Sequence, residues 1–300
     1  MGRIGVAVIA LVGVLSSSAP ASALAITGNF LSSTTGPDDQ PALGGGNIQQ
    51  IFGAAASYWE AILFDPISVV VDYGWFDEPP GSTLLAFSFG DARTGFLNVV
   101  NRQDWFLDPS PLVPNEYTTP EFVVTNYGGF LVNSGVGFSG GTGAAAGYDL
   151  LTVLIHELGH VLGNRPETAL DYADGHVDIT SPRPLAGLAL PVIGGCCHLT
   201  DGDGIPGFNP SLFPFTNLGE RRLISDADLL FVAQGGLWDQ VDESRFESAS
   251  VPEPGSLTLL GLGLCVAEWS RRRRRTGPWS RDQGCRSRGV VGLGLDCTNA

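Results

Sequence analysis

The sequence predicts an α+β domain in which helices pack on a small mixed sheet, and three observations carry that prediction. Across residues 47–63 apolar side chains recur three and four apart (Ile48, Ile51, Phe52, Ala55, Tyr58, Trp59, Ile62), the period of a helix with one buried stripe. Residues 68–73 and 83–89 are β-branched or alternate in polarity, the signature of half-buried strands. Asp149 then stands as an N-cap before an apolar-rich run to Leu162 that Gly163 ends, which reads as a buried helix.

The remaining elements follow in order. Residues 36–46 form an irregular entry, and residues 122–126 and 130–138 add two more strands. The Gly-rich stretch 140–147 is a loop too irregular to cradle a phosphate. An acidic loop region spans 164–224, and Ser225 caps a short helix over 226–237. No internal repeat occurs. With 41 Gly and 20 Pro among 300 residues, long loops between modest elements are expected.

Charge excludes one class of partner. The chain has no Lys, and eight of its 16 Arg lie in residues 271–300 beside only Asp282 and Asp296. Eight Arg then face 29 acidic residues in the remainder, a net charge of −21. A body so acidic repels phosphate backbones, which argues against nucleic acid and favours neutral or basic peptides as ligands. Five Cys, three of them at or beyond residue 265, do not make a disulfide scaffold.

Both ends carry sorting information. Residues 1–25 read as a secretory signal: Arg3, an apolar run over 4–15, and Ala21-Ser22-Ala23 as a cleavage site. The mature domain is then expected over 26–250 and outside the inner membrane. At the other end Pro252-Glu253-Pro254 precedes an apolar stretch over 257–267 and an arginine cluster at 271–275. From Gly255 to Ser270 the stretch counts 16 residues, short for a full span, with the arginines holding its end at the cytoplasmic face. This order of parts over 251–275 resembles the PEP-CTERM sorting signal. The resemblance implies an exosortase-type membrane protease as partner and a C-terminal membrane anchor before processing, with the product in the envelope or outside the cell. The tail 276–300 carries no readable role.

The chemistry concentrates in His156-Glu157-Leu158-Gly159-His160 on the helix after Asp149. Two histidines four apart project from one helical face, so both imidazoles reach one metal ion. Glu157, one residue on, lies at the side of that face, where it takes a proton from a water held by the metal. Zinc suits this chemistry, because it lowers the pKa of water to about 7 and polarises a peptide carbonyl.

The run from His156 to Gly163 resembles the zincin metalloproteases, and in particular the metzincins, whose motif extends as H-E-x-x-H-x-x-G-x-x-H. The resemblance implies a zincin-like metalloprotease fold, a Zn2+ cofactor held by His156 and His160, and Glu157 as catalytic base. It also implies a sharp turn at Gly163. Pro166 stands where the third histidine would fall, and the only Met is Met1, so the methionine turn of metzincins has no counterpart. A catalytic zinc takes three protein ligands. His198, His176, Glu167, Asp171 and Asp174 are the candidates for the third, with His198 favoured on ligand chemistry, and Leu212 is a candidate to replace the missing Met as a floor. Asp201 and Asp203 have calcium-loop spacing without the twelfth-position Glu. Cys196 and Cys197 are adjacent, a spacing that disfavours a bridge.

The resulting expectation is an exported zinc endopeptidase acting on peptide or protein substrates through a metal-activated water. The alternative is a non-catalytic PEP-CTERM surface or extracellular-matrix protein with a degenerate zincin helix.

Overall fold

The computed structural model describes residues 23–37, 43–118, 120–141, 143–163, 175–193, 198–199, 211–212 and 216–249, all within the first of the chain's two units, Met1–Val251. Residues 1–22 of the expected export signal (1–25) and the sorting tail from residue 250 on lie outside these residues, and no helix among the described residues is long and apolar enough to cross a membrane.

The architecture is α+β. Strand β1 (Ala25–Phe30) runs parallel to β2 (Ser68–Phe76), with helix α1 (Ile48–Glu60) crossing between them. Asn47 caps α1 by accepting from the Gln50 amide at 2.9 Å. The apolar stripe of α1 (Ile48, Ile51, Phe52, Ala55, Trp59) is buried, and Phe52 stacks on Tyr73 of β2 at 4.0 Å. Strand β3 (Ala86–Gly90) turns through Asp91, whose carboxylate accepts from the amides of Arg93 and Thr94, into β4 (Thr94–Val100). The sheet order β1-β2-β4-β3 leaves the antiparallel β3 at an edge.

Strand β5 (Trp105–Phe106) is followed by the hairpin of β6 (Glu121–Tyr127) and β7 (Phe130–Ser139). Gly128 and Gly129 connect the pair with φ of 60° and 106°, the left-handed conformations that a two-residue hairpin turn demands. Strand β8 (Tyr148–Asp149) pairs with β5 and leads into α2 (Leu150–Gly163). Further along lie β9 (His176–Asp178), β10 (Ala189–Pro191), β11 (Glu220–Leu223) and α3 (Asp226–Gly236). Strand β11 joins the other edge of β7, giving the order β11-β7-β6.

Helix α2 is the centre of the core. Every residue in it except His156 is buried, as expected for a helix apolar on all sides. It packs between α1, α3 and β3. Two indoles fix it: Trp59 Nε1 donates to the Ile155 carbonyl at 3.0 Å and Trp238 Nε1 to that of Leu162 at 2.9 Å.

Several expectations change. The expected domain start at residue 26 falls one residue inside β1, which opens at Ala25 beside the buried Leu24. The strand expected from 83 begins at Ala86, and β4 is additional. The region 164–224 is not loop throughout, since β9, β10 and β11 lie in it. The expected turn after Gly163 lies outside the described residues. Gly163 is the last residue of α2, and a Cβ there would meet Val232 Cα of α3 at 2.8 Å, so the glycine is needed for helix contact.

Candidate metal centre

Thr152, His156 and His160 recur every four residues along α2, and so line one face of the helix. His156 Nδ1 donates to the Ser211 carbonyl at 2.8 Å, which turns Nε2 toward His160 and His198. The Ser211–Leu212 turn is itself held by α3. Asp228 accepts from the Ser211 amide at 2.9 Å and from the Leu212 amide at 2.8 Å, while completing a capping box with Ser225. Leu212 is completely buried beneath α2. A Cβ on Gly159 would meet its Cδ2 at 2.7 Å, so the glycine of the His-Glu-Leu-Gly-His run admits the leucine as a floor under the histidines.

His198 arrives from a different part of the chain. Its neighbour Leu199 bridges to Val192, and the Ile193 amide donates to the His198 carbonyl at 3.0 Å, so the segment after β10 doubles back to the helix. The three Nε2 atoms then converge: His160 to His156 at 2.9 Å, His160 to His198 at 3.1 Å, His198 to His156 at 3.3 Å. Ligands at about 2.05 Å from a tetrahedral zinc stand about 3.3 Å apart, a spacing that the longest edge of the triangle reaches and the other two approach from below. These three form the single group of potential metal-holding residues among the described residues. His176 is not in it; it lies exposed on β9. Glu167, Asp171, Asp174, Cys196, Cys197, Asp201 and Asp203 lie outside the described residues.

Burial sets the protonation of the cluster. It pushes His160 well below the usual imidazole range, with the charges of His156 and His198 acting in the same direction. Burial and the charge of His156 push His198 down to about 4. Both rings are therefore neutral at pH 7, the form that ligates a metal.

Glu157 faces the edge strand and is 6 % exposed. Its carboxylate accepts from Ser88 Oγ at 2.6 Å. Burial raises its pKa, opposed by the charge of His156 and by the Ser88 hydrogen bond. Glu157, the three histidines and β3 line one cleft of about 900 Å³.

Residues not singled out in the sequence complete the site. Ser88 carries a signal only in retrospect, as a polar residue between Phe87 and Phe89. Asp228 is the capping-box residue of α3, and nothing local tells that it also serves a turn 16 residues away. At the start of α2, Asp149 accepts from the Thr152 amide at 3.0 Å and from Arg221 Nη2 at 2.8 Å, and Arg221 also reaches Asp108 at 2.6 Å. That buried pair fixes the end of the helix from which the histidines project.

No curated protein and no solved structure matches the chain. The PEP-CTERM protein-sorting motif matches residues 250–275. The chain therefore carries the motif that directs export and sorting to the envelope or the exterior through exosortase machinery.

Proposed function

We propose that this chain is an envelope-sorted or extracellular zinc endopeptidase of zincin-like type, with His156, His160 and His198 as the metal ligands and Glu157 as general base. The observation that carries the reading is the Nε2 triangle with edges of 2.9, 3.1 and 3.3 Å, close to the spacing of three ligands around one tetrahedral zinc. Two further features support it. Leu212 lies under the histidine pair, and the Ser211 carbonyl orients His156 through its second nitrogen.

Zinc bound there supplies a Lewis acid for the peptide carbonyl and lowers the pKa of water. Glu157 takes the proton of the attacking water and returns it to the leaving amine. Its raised pKa suits both directions, because an acid–base group works best near the ambient pH. Ser88 keeps one carboxylate oxygen of Glu157 engaged and so limits the rotation of the carboxylate.

The test is paired. The purified protein is expected to hold one zinc and to cleave an unstructured protein substrate. Glu157→Gln is expected to keep the zinc and lose hydrolysis by about 10³-fold or more, since an amide accepts no proton. A protein that binds zinc but cleaves nothing supports the non-catalytic surface-protein reading instead.

A further inference from the structure

An aromatic surface stands at the rim of the cleft, on the face of β3 that turns away from α2. Ser88 faces the helix, where its Oγ meets the Glu157 carboxylate at 2.6 Å, so its strand neighbours Phe87 and Phe89 stand on the opposite face of the sheet. Phe89 is in register with Phe96 of β4, and their ring centroids lie 5.0 Å apart. Phe87 lies 5.9 Å from Phe89 and 6.3 Å from Phe96, and Phe76 of β2 closes on Phe87 at 4.9 Å. Four rings thus form one surface at the sheet edge. Phe87 and Phe89 line the same cleft as Glu157 and the three histidines. Consecutive Cα atoms are about 3.8 Å apart, so the rings begin one residue from the hydroxyl that holds the base.

Phe89 is 61 % and Phe96 41 % exposed. A contiguous exposed apolar patch beside a cleft marks a ligand-binding surface. Its size decides what covers it. At those exposures the two rings together present about 200 Å². A stable dimer covers about 800 Å² on each partner, whereas a single large apolar side chain matches the smaller area. The four rings offer no hydrogen-bonding group, which favours an apolar side chain over a polar one.

We propose that Phe89 and Phe96, backed by Phe87, form a subsite for an aromatic or large aliphatic side chain of the peptide substrate, near the bond cleaved. The proposal rests on the peptidase reading above. Covering the two rings removes apolar surface of both partners from water, and aromatic contacts add to the gain. Because Ser88 ties the strand to Glu157, a side chain held on Phe89 fixes the register of the peptide relative to the base.

The experiment uses the zinc-loaded full chain and tripeptide hydroxamates in which each position in turn carries phenylalanine, leucine, alanine or arginine. Calorimetry reads their affinities without turnover. At one position, phenylalanine and leucine are expected to bind at least about ten-fold tighter than alanine. That advantage is expected to fall below about three-fold in Phe89→Ser and to shrink in Phe96→Ser, with zinc content unchanged in both. Both substitutions fall on exposed rings and so spare the core. Equal binding of phenylalanine and alanine at every position, arginine bound tightest, or a phenylalanine preference that survives both variants overturns the subsite and leaves the peptidase reading standing. A dimer in sedimentation that Phe89→Ser dissociates also overturns it, because the rings then serve a second copy of the chain. Failure of every hydroxamate to bind overturns the metal centre, and this proposal with it.

Discussion

Ser88 Oγ lies 2.6 Å from Glu157 Oε2 and 2.9 Å from the main-chain oxygen of the same residue, so one hydroxyl on the edge strand β3 fixes the carboxylate beside the histidine cluster. Its proton serves the shorter contact and favours the ionised carboxylate. Ser88→Ala is expected to raise the pKa of Glu157 further, because burial then acts with less opposition. The acid limb of the kcat profile should move to higher pH, with kcat at neutral pH lower by about ten-fold and zinc content unchanged. Ser88→Thr should restore most of both. A pH profile that does not move in Ser88→Ala shows that the hydroxyl serves packing alone.

The third ligand is tested by a pair of variants. His198→Ala removes one corner of the Nε2 triangle, while His176→Ala removes an exposed residue of β9. Zinc titration is expected to show a loss of about 100-fold or more in affinity for the first and less than about two-fold for the second. Zinc binding unchanged in His198→Ala transfers the role to a carboxylate such as Asp171 or Asp174.

The histidine pair and Glu157 were legible because the helical period alone places residues four apart on one face. The helix caps at Asp149 and Ser225 were legible for a similar reason, since capping is a local hydrogen bond between residues three apart. His198 was legible only as one candidate among several. Its approach depends on a bridge between Val192 and Leu199, a tertiary pairing with no periodic mark. Strand β1 escaped because its sequence, Ala-Ile-Thr-Gly-Asn-Phe, shows no burial alternation; five of its six residues are exposed. Ser88 escaped for a different reason. It is a single polar residue in a strand, and only the folded neighbourhood decides whether such a residue meets solvent or a carboxylate.

The depressed pKa of His198 makes the metal-free protein acid-sensitive in a defined window. The folded value is about 4 and the unfolded value about 6.5. Between these values the unfolded chain binds more protons, so stability is intact above pH 6.5 and declines as pH falls toward 4. His160, pushed in the same direction, adds to the slope. Melting temperatures of the metal-free protein should fall through that window and should fall less in His198→Ala. A flat profile between pH 6.5 and 4 contradicts the burial of neutral rings. The zinc-loaded protein should resist acid better, because protons must first displace the metal.

The buried charges at the start of α2 hold the histidine-bearing helix in register. Arg221 binds Asp149 through Nε at 3.0 Å and Nη2 at 2.8 Å, and Asp108 through Nη2 at 2.6 Å. Its guanidinium carbon also stands 4.2 Å from the ring centroid of Tyr117, whose hydroxyl donates to Asp149 at 2.9 Å. One cation thus offsets two buried carboxylates. Removing it by Arg221→Met leaves both unpaired, and the denaturant midpoint is expected to drop by the equivalent of about 3–5 kcal/mol. Asp108→Asn should cost less, because it turns an excess negative charge into a neutral hydrogen-bonding group and leaves the Arg221–Asp149 pair intact. Combining the two substitutions should cost less than the sum of the singles, since the penalty of Arg221→Met comes mainly from like charges left together. Additive losses in that cycle would show that the arginine acts through packing and through its contact with Tyr117, not through the carboxylates it joins.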